Sequence, residues 1–100
     1  MSKGTLLTPG DVVYSTRVAT PPLLKVRRLV RDTRGLDGLL GVYPDPRTDS
    51  TFLFFGAPDE VLAAVWELVR SGWVPDRTVM RWSVAADGIP EYDGLYGACV

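Results

Sequence analysis

Glycine and proline divide this chain into short segments, and that punctuation limits the fold more than any other feature of the sequence. The 100 residues include 10 glycines and 8 prolines. Both residue types interrupt helices and strands, so each segment between them holds one short element. A chain of this length that is 46% hydrophobic can bury about two-thirds of its extended surface in one core. We therefore predict a single domain over residues 1–100, with its core at about residues 11–86.

Four segments have the composition or the alternation of β-strands. Residues 12–19 are rich in β-branched and aromatic side chains and follow a turn-forming Pro-Gly pair. Residues 38–43 and 51–55 are apolar runs on either side of a turn-forming loop, which predicts a hairpin. Residues 78–85 alternate between two sets of side chains, which is typical of a half-buried strand.

Two further segments have the spacing of helices. The first runs from about Pro21 to Thr33, with Thr20 as a candidate N-cap. Its apolar residues also alternate, so a strand over residues 23–33 is an open alternative. The second begins at Pro58 and carries apolar residues at three- and four-residue intervals as far as Arg70. Gly72 and Trp73 then predict a Schellman-type end to that helix.

The resulting order, β-α-β-β-α-β, resembles the ferredoxin-like split arrangement. We predict an α+β fold with an antiparallel four-stranded sheet, two helices on one face, and a C-terminal extension over residues 87–100. Gly35 to Val42 and the Ser71-Gly72-Trp73 end of the second helix are similar to the small heavy-metal-associated domains. Their Cys-x-x-Cys motif is absent, so the resemblance implies the fold and not metal binding.

The chain has no histidine and one cysteine, which removes most catalytic and metal-binding chemistry. Nucleophile systems based on Ser-His-Asp or Cys-His need histidine, and Cys99 alone forms neither an intrachain disulfide nor a multi-cysteine zinc site. We name no catalytic residue, metal ligand or cofactor, and we favour a protein that is not an enzyme.

An aromatic surface is predicted on the sheet face that the helices leave open. Strand alternation assigns one set of side chains to the open face: Tyr43, Phe52, Phe54 and Arg81, with Tyr14 or Arg17. It assigns another set inward, toward Leu62, Val65 and Val69 of the second helix: Leu40, Val42, Leu53, Phe55, Met80, Trp82 and Val84. The open set is our candidate partner-binding site.

Three interpretations of that aromatic face compete. It could bind a second copy or another protein, stack single-stranded RNA, or lie under the C-terminal segment folded back across it. In the first case, serine at positions 52 and 54 is expected to disrupt association and leave the fold intact. Residues 51–55 lack the basic and glycine positions of RNA recognition motifs, which weakens the second interpretation.

A basic stretch in the first predicted helix is a candidate phosphate site. Its members are Lys25, Arg27, Arg28 and Arg31. The net charge of −1 and the pI near 5.2 argue against binding nucleic acid over the whole surface, because counterion release requires clustered cations. A local phosphate contact stays open.

We therefore predict a small non-enzymatic protein–protein interaction module that forms a homodimer or binds a larger partner. A ligand-binding or enzymatic ferredoxin-like dimer is the first alternative, and a module that binds RNA or DNA is the second. The size and arginine-rich composition fit an actinobacterial or phage-encoded accessory or inhibitor protein. No segment has the length of a signal peptide or membrane span, so a cytoplasmic location is expected.

Overall fold

The computed structural model describes residues 7–19, 23–45 and 47–98. They form a five-stranded sheet, in the order β2-β3-β1-β4-β5 with every neighbouring pair antiparallel, and two helices. The α+β class is thus confirmed. In chain order the elements are β1 (Val12–Ala19), α1 (Leu23–Thr33), β2 (Leu39–Asp45), β3 (Ser50–Phe55), α2 (Pro58–Arg70), β4 (Thr78–Val84) and β5 (Pro90–Ala98).

The predicted four-stranded sheet is wrong, because the C-terminal segment contributes a fifth strand. A tight turn follows β4: the Gly88 N–H donates to the Ala85 carbonyl at 2.9 Å, and the Asp87 carboxylate accepts from the Ile89 N–H at 3.0 Å. Gly88 has a φ of +82°, which costs glycine little because it has no Cβ. β5 then pairs with β4 along the edge of the sheet. The alternative in which this segment folds back across the open face is therefore also wrong.

Residues 23–33 are helical, which decides between the two interpretations of that segment. Leu29 is fully buried under the helix, and the Thr33 hydroxyl near its end donates to the Leu29 carbonyl at 2.8 Å. The predicted start of the helix, Thr20 to Pro22, lies outside the described residues.

Helix α2 begins and ends as the sequence predicts. Pro58 occupies its first position, and the Glu60 carboxylate accepts from the Ala57 N–H at 3.1 Å. At the other end the Gly72 N–H donates to the Val69 carbonyl and the Trp73 N–H to the Leu68 carbonyl, at 3.0 and 2.9 Å. These are the two bonds of a Schellman motif, which satisfy carbonyls that the helix leaves open.

The helices pack on one face of the sheet and produce the larger of two hydrophobic clusters. Its members on the strands and on α2 include Val18, Leu53, Phe55, Val61 and Val65, all at most 1% exposed. Burial of each such side chain contributes about 1.5–3 kcal/mol to folding. No helix in the described ranges is long and apolar enough to cross a membrane.

The predicted inward set is right on β3 and wrong on β4. Trp82 and Val84 belong to the second cluster, on the face away from the helices. The register of β4 with β1 decides this, because Trp82 lies opposite Val13 and Arg81 opposite Tyr14. Met80 lies opposite Ser15 and so shares the face of Trp82.

Two other predicted inward residues also lie elsewhere. An irregularity in the register between Leu39 and Gly41 turns Leu40 toward the second cluster. Val42 packs with the helices as predicted. Val69, on α2, lies at the margin of the buried side of the helix and is 37% exposed.

Candidate interaction surface

Four strands contribute rings to the sheet face opposite the helices. We call this surface the aromatic face and define it by Tyr43, Phe52, Phe54, Trp82 and Tyr92. Phe54 is central, with ring centroids 5.1 Å from Tyr43, 6.2 Å from Phe52 and 5.2 Å from Trp82. Trp82 is also 5.2 Å from Phe52 and 5.3 Å from Tyr92. Most of these pairs meet edge to face, which is the favoured aromatic geometry.

Hydrogen bonding fixes the largest ring of the aromatic face. The Trp82 indole Nε1 donates to the Ser15 hydroxyl oxygen at 2.7 Å, and Ser15 is fully buried on the neighbouring strand. The only polar atom of the indole is thereby satisfied inside the protein, so the ring presents carbon to the surface.

The aromatic face is closed at its centre and open at its rim. Phe54 is 1% exposed and packs in a cluster with Leu7, Val13 and Val84. Tyr43, Phe52 and Trp82 are partly buried. The large apolar side chains next to them on the rim are mostly in solvent: Ile89, Tyr92 and Leu95 are 60%, 54% and 66% exposed.

A shallow groove of about 290 Å³ crosses this surface. It is lined chiefly by carbon atoms of Tyr43, Phe52, Phe54, Trp82 and Ile89, and its charged lining residues are Asp45 and Arg47. A groove with so few polar groups has little to orient a small polar ligand.

The charged groups beside the aromatic face are paired. The Arg47 guanidinium lies 3.4 Å from the Asp45 carboxylate, and the Arg17 guanidinium 3.2 Å from Asp76. The Arg47 backbone N–H, followed by side-chain hydrogen bonds, holds the pKa of the Asp45 carboxyl below its ordinary value. Burial raises the pKa of the Tyr43 phenol above its ordinary value. Each of these two arginines therefore has an acidic partner at the edge of the aromatic face.

The structure brings together three of the four residues predicted for the partner-binding site. Tyr43, Phe52 and Phe54 share the aromatic face, whereas Arg81 lies on the helix side of the sheet and pairs with Asp93 at 3.4 Å. Of the two further residues considered, Arg17 lies opposite Phe52 and shares its face, but Tyr14 packs with the helices.

Sequence reasoning missed Trp82 and Tyr92 as members of this surface. The alternation of β4 separates Trp82 from Arg81 but leaves open which of them faces the helices. Tyr92 joins the surface only because β5 pairs with β4 and places it opposite Trp82.

One residue of the predicted phosphate site, Arg28, is engaged in other contacts. Arg28 stacks over Trp73 at 5.2 Å, lies 3.5 Å from the Asp32 carboxylate and donates to the Ser71 carbonyl at 3.4 Å. Arg31 shares the same carboxylate at 3.7 Å, and Arg27 is exposed. The side chain of Lys25 lies outside the described residues. Arg28 is thus occupied in joining α1 to the end of α2.

Two larger concavities lie elsewhere. One, of about 460 Å³, is lined by Asp37, Asp59, Glu60 and Glu67 beside the loop that follows α1. The other, of about 450 Å³, surrounds the Arg17–Asp76 pair. Over the described ranges no three carboxylate, histidine or cysteine groups are arranged to hold a metal ion.

Comparison of the chain with protein-family models, with curated proteins and with solved structures gave no match in any of the three.

Proposed function

We propose that this protein is a non-enzymatic protein–protein interaction module whose aromatic face binds a second copy of the chain. One observation carries the proposal: rings from four strands form an apolar surface on the side of the sheet without helices, and its rim leaves Ile89, Tyr92 and Leu95 mostly in solvent. Apolar patches of this kind are typical of protein contacts.

A second copy fits this surface because of its charge balance. Arg17 and Arg47 are neutralised by Asp76 and Asp45, so two copies related by a two-fold axis do not oppose these arginines as unpaired cations. In such an isologous contact the same patch is used twice and must be complementary to itself. A neutral apolar patch meets that requirement, whereas a nucleic acid would need unpaired cations.

We further propose that the first four strands have the ferredoxin-like arrangement. Along the sheet they follow the order β4-β1-β3-β2, in which each β-α-β unit spans one intervening strand. β5 is then an addition at the β4 edge, and it widens the aromatic face by one strand.

The test replaces Tyr92, on the rim, with serine. Burial of the Tyr92 ring, 54% exposed in one copy, would contribute about 1–2 kcal/mol to the contact, so Tyr92→Ser should weaken association about tenfold. Sedimentation over a concentration series should show an assembly of half the wild-type mass at concentrations where the wild-type protein stays associated.

Trp66→Ser is the matched control for that experiment. Trp66 is a similarly exposed aromatic residue, 49% in solvent, but it lies on α2, on the opposite side of the sheet. This variant should keep the wild-type mass, and circular dichroism should show both variants folded. A monomeric wild-type protein, or equal masses for the folded Tyr92→Ser variant and the wild type, would reject the proposal.

A further inference from the structure

The outer side of β5 is an open sheet edge. β5 is the last strand in the sheet order, so its outer N–H and carbonyl groups face no other strand of the described residues. Proteins limit pairing at such edges with charged residues (lysine above all), internal proline, β-bulges or a covering segment, and of these β5 has two bulges and two acidic residues. β5 has no basic residue, and its proline is the first residue of the strand. The opposite edge, β2, carries Pro44 within the strand, and both edge strands have irregularities of register.

The side chains of β5 are distributed over the two faces of the sheet in the same order on either side of Leu95. Tyr92 and Leu95 lie opposite Trp82 and Met80, on the side of the aromatic face. At two places, two consecutive residues of β5 face a single residue of β4, and both residues lie on the helix side of the sheet. These pairs are Asp93 with Gly94, before Leu95, and Tyr96 with Gly97, after it. On either side of Leu95, two residues on the helix side are therefore followed by one on the side of the aromatic face.

We propose that β5 also pairs antiparallel with β5 of a second copy, about a two-fold axis at Leu95. In this register each residue of β5 that faces a described residue of the second copy lies on the same side of the sheet as that residue. The Asp93–Gly94 irregularity of one copy then faces the Tyr96–Gly97 irregularity of the other. No other register does both. Asp93 then lies opposite Gly97 of the second copy, so no two acidic residues face each other. Tyr96 lies opposite Gly94, where the missing side chain leaves room for the ring.

Edge pairing uses a different surface from the aromatic face, and the two contacts are compatible. A two-fold axis between antiparallel strands is perpendicular to the sheet, so two paired copies form a ten-stranded sheet with both aromatic faces on the same side. Two such sheets can stack in a four-chain assembly with perpendicular two-fold axes. The pairing satisfies the outer backbone groups of β5 and covers Leu95, which is 66% exposed in one copy.

Disulfide cross-linking in a Cys99→Ser background tests the register. Cys99 is the only cysteine, so each variant carries one thiol. Directly opposed residues in an antiparallel pair have Cα atoms about 4.5–5.5 Å apart, within the range of a disulfide. Leu95→Cys should therefore form a covalent dimer under mild oxidation.

Tyr96→Cys is the matched control. It is also exposed on β5, but the two copies of residue 96 would be about 8 Å apart, beyond disulfide reach. We expect at least about fivefold more covalent dimer from Leu95→Cys. Equal or greater cross-linking of Tyr96→Cys, or none of either, overturns this pairing.

The two proposals fail separately. Cross-linking at residue 95 together with an unchanged mass for Tyr92→Ser would support the edge pairing and reject the aromatic-face contact. Loss of assembly in Tyr92→Ser without cross-linking at residue 95 would do the opposite.

Discussion

At the scale of single residues, neighbouring side chains on one strand have different roles. Phe52 and Phe54 are two residues apart on β3 and share the aromatic face, but Phe54 is buried at its centre and Phe52 is partly in solvent. The expectation that serine at both positions leaves the fold intact therefore conflicts with the burial of Phe54.

Single substitutions at these two positions should separate folding from association. Phe54→Ser should lower the free energy of unfolding by about 3–5 kcal/mol, because it leaves a cavity among packed rings. Phe52→Ser should cost about 1–2 kcal/mol, since its ring is only partly buried. Urea denaturation followed by tryptophan fluorescence measures both. Equal losses would contradict the burial difference between the two rings.

Glycine is required at residue 38 for two reasons. Its φ is +78°, and a Cβ there would collide with the Glu60 carboxylate, which accepts the Ala57 N–H at the start of α2. Gly38→Ala should therefore lower the free energy of unfolding by more than the cost of placing alanine at a positive φ.

Gly88→Ala is the control for residue 38, because Gly88 has a φ of +82° and no neighbour that a Cβ would meet. We expect Gly88→Ala to cost about 1–2 kcal/mol. Gly38→Ala should cost about 1 kcal/mol more, because Glu60 must give up its hydrogen bond. Thermal denaturation of the two variants makes the comparison, and equal midpoints would show that Glu60 moves aside freely.

At the scale of elements, α1 and α2 are joined through the residue that follows the second helix. The Trp73 indole donates to the Asp32 carboxylate at 3.1 Å, and Arg28 stacks on its ring. The Schellman motif places Trp73 there, so the end of α2 also positions α1. The arginines of α1 thereby contribute to packing between helices.

Asp32→Ala should lower the free energy of unfolding by about 1–2 kcal/mol, because the nearly buried indole N–H of Trp73 loses its acceptor. Arg31→Ala removes an exposed partner of the same carboxylate and should change the free energy of unfolding by less than about 0.5 kcal/mol. Chemical denaturation of both variants distinguishes a structural carboxylate from a surface ion pair. Similar losses would contradict the role given to Trp73.

At the scale of the whole molecule, the sheet is wider than the helical layer. α1 and α2 pack over the strands from β2 to β4 and bury Val79 at the start of β4. Farther along, the helix-side residues Arg81 and Ser83 of β4 and Asp93 of β5 are polar and exposed. The aromatic face covers the other side and continues onto β5. Both self-association contacts that we propose depend on the fifth strand, which supplies Tyr92 to the face and the open edge.

Local patterns in the sequence are sufficient to predict most elements. The cap residues and spacing of α2, the β2–β3 hairpin and the strand character of β1 and β4 all follow from interactions between residues close in the chain. The absence of histidine likewise limits the chemistry before any fold is considered. The grouping of Tyr43, Phe52 and Phe54 follows because alternation on a hairpin is fixed by its turn.

Tertiary structure alone decided which side of β4 faces the helices, and that the last strand joins the sheet. Alternation divides Arg81 from Trp82 but is equally satisfied by either orientation, so the register with β1 and the buried hydroxyl of Ser15 make the choice. Residues 90–98 contain two glycines and two irregularities of register. Their sequence therefore lacks the regular alternation of apolar and polar residues that predicts a strand. They form a strand because β4 offers an open edge, and that partner is not a local property of the chain.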